Sequence, residues 1–225
     1  MTNWFYVPFK TGTWGDVEIV TEPNGYAEQR LDGEMIMHNG PQDIGLRGEL
    51  EFLDDAHGRV LIGGLGFGLS PLLIAMKPNV TEVVVVELYQ DVIDSFLAQG
   101  YSNPKITIVQ GDIFNYVDTT PFDSGMVDIY ALPEEITYPV IQNNKIKDFR
   151  WVWWRPFYIQ WLSKNKFGIH SLENFKEFRA MHKFIPDFDK PTLDKYFFME
   201  GSNRMQAEQS LVNGLELIKN SREAF

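Results

Sequence analysis

The stretch Val60-Leu-Ile-Gly-Gly-Leu-Gly-Phe-Gly-Leu-Ser-Pro71 constrains the fold more than any other part of the chain. A short apolar run ends in glycines at 63, 64, 66 and 68. A helix start follows at Ser70-Pro71, because proline is tolerated in a first turn, where its missing N–H has no intrahelical partner. Glycines let the backbone turn tightly and approach a ligand closely, and a helix amino terminus lies immediately behind them. Alone, Gly64-x-Gly66-x-Gly68 is a weak signal, since glycine turns after strands also serve packing only.

The sequence downstream supplies context. Proline at 78 ends the helix near Lys77. Glu82-Val-Val-Val-Val-Glu-Leu88 is nearly continuous and β-branched, as a strand buried on both faces should be. Gln90 to Gln99 reads as a helix that Gly100 closes. Lys105-Ile-Thr-Ile-Val109 is a third strand, and Phe122 to Tyr130 holds a fourth, centred on Met126 and Val127. This alternation predicts an α/β fold: a Rossmann-like parallel sheet with helices on both faces. Three successive strands end in the glycine loop, Glu87 and Asp112. Ligands of open α/β sheets bind beyond such strand ends, and Glu87 lies about 20 residues past the glycines, where an acceptor for ribose hydroxyls belongs.

Ahead of this domain, residues 1–50 read as a β-rich element and residues 51–225 as the cofactor-binding catalytic domain. Asp16–Glu22, Tyr26–Leu31 and Glu34–His38 are strand-like, separated by Pro23-Asn24-Gly25 and Asp32-Gly33 and followed by Asn39-Gly40, the residues of hairpin turns. Gln42 to Asp55 is helical, with Ile44, Leu46, Leu50 and Leu53 on one side. Beyond Tyr130 the reading is a helix in 134–148, a strand at 150–155, helices at 156–162 and 172–182, and a closing helix at 205–219.

Composition excludes several chemistries. The 225 residues contain no cysteine, which removes disulfides, thiolate catalysis and Cys-based zinc sites. The four histidines, His38, His57, His170 and His182, have no metal-ligand spacing, so no metal is expected. A net charge of −11 points away from nucleic acid and towards a small or cationic substrate. The longest uncharged run, Val60 to Met76, is shorter than the ~20 residues of a membrane span. With no targeting segment visible, a cytoplasmic location is expected.

On these motifs, Val60 to Tyr130 resembles the class I S-adenosylmethionine-dependent methyltransferases. The resemblance implies that Gly64, Gly66 and Gly68, with Gly63 opening the loop, border the methionine part of S-adenosyl-L-methionine. It implies that Glu87 holds the ribose and that Asp112 and Ile113 border the adenine. Leu31-Asp32-Gly33, then Gln42 with its helix, then Gly63-Gly64 resemble the spermidine synthase-like branch. The chain departs from the aminopropyltransferases at Phe67, where they carry Asp, and at Asp128-Ile-Tyr-Ala-Leu-Pro133. Ile62 replaces an acidic residue common in methyltransferases. A dinucleotide oxidoreductase would need glycine at 69, where Leu69 stands.

Transfer from a sulfonium needs positioning more than acid–base machinery. Asp128, at the end of the fourth strand, suits an amine nucleophile that it holds or deprotonates, with Tyr130 lining the pocket. The aromatic cluster Trp151, Trp153, Trp154, Phe157, Tyr158 and Trp161 reads as core, as a surface for pairing with a second copy within 151–161, or as a substrate wall. Glu134 and Glu135 read as a helix start or as attractors of a cation. The expected function is an S-adenosylmethionine-dependent methyltransferase acting on a small molecule. An aminopropyltransferase or cofactor-cleaving enzyme of the same fold is the first alternative. A non-catalytic protein on that fold is the second.

Overall fold

The computed structural model of the chain describes residues 7–39, 56–127, 129, 140, 142–147 and 172–181. Four antiparallel strands come first: β1 (Gly12–Trp14), β2 (Val17–Thr21), β3 (Ala27–Leu31) and β4 (Glu34–His38). They form a meander in sequence order. The β3–β4 turn is Asp32-Gly33 with φ of 52° and 79°. Positive φ at both central residues is the geometry whose twist matches the strands it joins, and Asp-Gly supplies it. The sequence reading anticipated β2, β3 and β4; β1 is too short to show an alternating pattern.

The second sheet is parallel. It contains β5 (Gly58–Gly63), β6 (Val80–Glu87), β7 (Ile106–Gln110) and β8 (Ser124–Val127) in the order β7-β6-β5-β8. Helix α1 (Leu69–Ala75) joins β5 to β6, and α2 (Gln90–Gln99) joins β6 to β7. The chain steps outward from β5 to β7, then returns to the other side of β5 for β8. This is the Rossmann-like order, with its switch point between β5 and β8.

Burial along the strands follows that path. Val60, Ile62, Val83 and Val85 face one apolar cluster, together with α1, α2 and Val17, Ile19 and Ala27 of the antiparallel sheet. Leu61, Val84 and Val86 face a second cluster with Ile113, Phe122, Val127, Val140 and Ile146. Right-handed crossovers in one direction put both helices on one face, and the reversal sends the β7–β8 connection to the other. The valine run is therefore explained: consecutive residues serve opposite cores, each burial worth roughly 1.5–3 kcal/mol.

Polar contacts tie the antiparallel sheet to α2. Gln29 donates to Ser95 Oγ at 3.1 Å. The Asp16 N–H donates to Asp91 at 2.9 Å, and the Lys10 N–H to Gln99 Oε1 at 2.6 Å. Gly100 ends α2 in the left-handed conformation, as its sequence position predicts. Helix α3 (Leu172–Met181) coincides with the predicted segment and buries Phe175 and Phe178. The predicted elements at 42–55, 150–155, 156–162 and 205–219 lie outside the described residues. No helix among the described residues is long and apolar enough to cross a membrane.

At the amino edge of the parallel sheet, Arg59 gathers the β7–β8 connection. It pairs with Glu82, donates to Asp118 at 2.8 Å and to the Thr120 carbonyl at 2.7 Å, and lies 4.1 Å above the Phe122 ring. Tyr116 also donates to Asp118. Hydrogen bonding from Arg59, above all, holds the Asp118 carboxyl down from an ordinary 3.8 to about 2, and burial pushes the Tyr116 hydroxyl up to about 12. A depressed carboxyl contributes stability that is present above its unfolded pKa and lost as pH falls through its folded pKa. Urea unfolding of wild type and Asp118→Asn should therefore differ by a constant amount above about pH 5, and the gap should close between about pH 4 and 2.

Candidate functional site

The carboxyl ends of the parallel strands lie in register. Gly63 pairs with Val86 on one side and Val127 on the other, and Glu87 pairs with Gln110. The segments that follow dock on β6. The Gly64 N–H donates to the Val86 carbonyl at 2.9 Å, and the Gly111 N–H to the Glu87 carbonyl at 2.8 Å. The glycine loop, Glu87 and the Asp112 turn therefore sit side by side on one edge, next to the switch point.

The loop needs its glycines. Gly64, Gly66 and Gly68 have φ of 94°, 50° and 75°, in the left-handed region where a side chain is strained. At Gly68 a Cβ would also collide with the Phe96 ring of α2. Gly63 has a different role. It lets Ile113 and Val127 close over the strand end, since a Cβ there would lie 2.8 Å from Ile113 Cγ1.

Glu87 is the centre of the arrangement. It is only 7% exposed, and its two carboxylate oxygens are divided between two segments. Oε2 accepts the Leu65 N–H of the glycine loop at 2.8 Å, and Oε1 accepts the Tyr89 N–H at 2.9 Å. A carboxylate can accept about four hydrogen bonds, so each oxygen keeps a lone pair for a further donor. Asp112 caps its own turn: Oδ1 accepts the Phe114 N–H at 2.9 Å, and Oδ2 the Asn115 amide at 2.7 Å. Ile113, beside it, is buried in the second apolar cluster.

Other residues hold the loop in ways the sequence did not signal. The Phe67 ring turns inward onto Phe9, centroids 4.4 Å apart, and leaves the sheet edge. Its N–H donates to Met37 Sδ of β4 at 3.4 Å. Ile62 is fully buried between strands and presents nothing to this edge. The Asp128 and Tyr130 positions, Glu134, Glu135 and the aromatic segment 151–161 lie outside the described residues, as do His170 and His182. Among the described residues no group of three or more His, Asp or Glu side chains is placed to hold a metal.

No protein-family model matches the chain, and no curated protein matches it. Solved structures do. A spermidine synthase in complex with the transition-state analogue AdoDATO is 22% identical, with a TM-score of 0.47 over 60% of this chain and 51% of that one. A spermidine synthase from Thermotoga maritima is 21% identical, with a TM-score of 0.46 over 60% of this chain and 52% of that one. A DhpI-SAM-HEP complex is 15% identical, with a TM-score of 0.38 over 48% and 51% of the two chains. The chain spans about half the length of each. The architecture described above rests on its own strand order and register.

The double engagement of Glu87 yields a structural prediction. In Glu87→Gln, one side-chain oxygen serves one N–H, and an NH2 group faces the other. Urea unfolding should show a loss of about 1–3 kcal/mol, the cost of an unpaired buried donor. Unchanged stability would mean that the carboxylate does not hold the loop.

Proposed function

We propose that this chain is a transferase that takes an adenosylsulfonium cofactor on the carboxyl edge of its parallel sheet and passes a carbon group to a small molecule. One observation carries the reading. The glycine loop and two carboxylates, Glu87 and Asp112, lie at the carboxyl ends of three neighbouring strands beside the switch point, with backbone bonds from Gly64 and Gly111 drawing both flanking segments onto β6.

The residues present fit a nucleoside. The free lone pairs of Glu87 suit ribose hydroxyls. The Asp112 turn with Ile113 would border the base, and the loop from Gly63 to Gly68 would border the chain that carries the sulfonium. When bound, the sulfonium supplies an already activated carbon. The protein's own work is then to bind, orient and exclude water. Asp128 and Tyr130 follow β8 directly, next to the loop's strand, and are assigned to the acceptor: Asp128 to hold an amine and take its proton, Tyr130 to line the pocket.

Methyl transfer is the first reading. Aminopropyl transfer from the decarboxylated cofactor is the second. It is favoured by the four-stranded antiparallel meander packed on α2, which matches the hairpin pattern of the spermidine synthase-like resemblance. A small molecule is the assigned partner in both.

Parallel incubations with methyl-labelled cofactor and with its aminopropyl-labelled decarboxylated form, with small amines as acceptors, distinguish the readings by which label reaches the product. Calorimetry tests their common premise. Wild type should bind the cofactor or its decarboxylated form. Glu87→Ala should weaken binding by about tenfold or more, since each lost charge-assisted hydrogen bond is worth about 1.5–3 kcal/mol. Equal affinity in Glu87→Ala would remove the ribose assignment. No binding of either form by wild type would remove the function.

A further inference from the structure

The glycine loop is held from the antiparallel sheet as well as from β6, and a defect in strand pairing makes this hold. Between β3 and β4 the register runs Leu31 with Glu34 and Arg30 with Met35, then jumps to Gln29 with Met37 and Glu28 with His38. Ile36 is the extra residue of a β-bulge. Paired residues of antiparallel strands point to the same face, and strict alternation would put Met35 and Met37 on one face. The bulge separates them. Met35 shares the outer face with Arg30 and is exposed. Met37 shares the inner face with Gln29, which is fully buried and bonded to Ser95 of α2.

The re-aimed side chain reaches the loop. Met37 Sδ accepts the Phe67 N–H, and a Cβ at Gly66 would lie 2.5 Å from Sδ and 2.7 Å from Cε. Met37 thus packs against the backbone at the position with the smallest positive φ of the three loop glycines. Bulges of this kind occur beside active sites, where they turn one side chain to a new task. A thioether is a weak acceptor, so most of the hold comes from shape, and methionine is the residue best able to fit an irregular backbone.

We infer that Met37 is a positioning residue of the cofactor site: carried to the loop by the Ile36 bulge, it holds Gly66 and Phe67 in the conformation that receives the ligand. The inference rests on the cofactor reading above. It adds that the antiparallel sheet takes part in binding through the loop, without touching the reacting atoms.

The test combines amide hydrogen exchange with calorimetry on the full chain. Exchange at Phe67 reports local opening of the loop, and exchange at Val84, in the central strand β6, reports global stability. Met37→Ala should speed exchange at Phe67 more than at Val84 and weaken cofactor binding by about tenfold, as expected for one lost packing contact. Met37→Leu, which keeps the bulk and loses the sulfur, should restore both to within about twofold of wild type. If Met37→Ala does not fold, Met37→Val makes the same comparison with a shortened side chain. An equal rise at Phe67 and Val84 would overturn the inference by making Met37 a general packing residue, as would unchanged exchange and affinity. If wild type binds no sulfonium nucleoside, the functional reading fails, and the exchange data still decide whether Met37 holds the loop.

Discussion

The carboxylate of Glu87 is the interaction on which the carboxyl edge of the sheet depends. A loop with three left-handed glycines has many conformations open to it, and fixing each residue costs about 1–2 kcal/mol of backbone entropy. Glu87 offsets part of that cost from a rigid position. It ends β6, which is paired on both sides and buried along most of its length. One oxygen reaches back to the glycine loop, and the other reaches forward to the turn that opens α2. The same group thus shapes the two connections that frame the edge.

The other restraints reach the loop from separate directions. Phe96 of α2 lies beneath Gly68, Phe9 stacks on Phe67, and Met37 leans on Gly66. Arg59 does comparable work at the opposite edge, where it ties Glu82 of β6 to Asp118 and Thr120 of the β7–β8 connection. One edge is fastened largely by charge. The other is fastened by one carboxylate and several apolar contacts around a flexible backbone.

Much of the fold was legible in the sequence. The run of valines in β6 could only be a strand buried on both sides, and Gly100 and Asp32-Gly33 marked their turns because few other residues adopt those angles. The glycine loop, Glu87 and Asp112 were legible as a series, since each lies at or just past the carboxyl end of a strand. The bulge at Ile36 was not. Its effect is to break the alternation that sequence reading depends on, so Met35 and Met37 look equivalent until the pairing is known. The Arg59 group was hidden for a different reason. Arg59 lies more than 20 residues from each of its charged and hydrogen-bonded partners along the chain, and an arginine at the start of a strand looks like any solvated charge. Phe67 read as a departure from a polar loop position, and its ring instead belongs to the apolar interior.

Among the described residues, the parallel sheet divides the interior into two compartments that share no side chains. Leu61 and Ile62 are adjacent in the sequence and equally buried, yet one belongs with Phe122 and Ile146 and the other with α1, α2 and the meander. A cavity opened at Leu61 would be felt by the β7–β8 connection, and one opened at Ile62 by the helices and the meander. Peptide neighbours here are structural strangers: a tolerated change at one says little about the next, whereas Ile62 and Ile19, far apart in the chain, stand or fall as partners in a common packing unit.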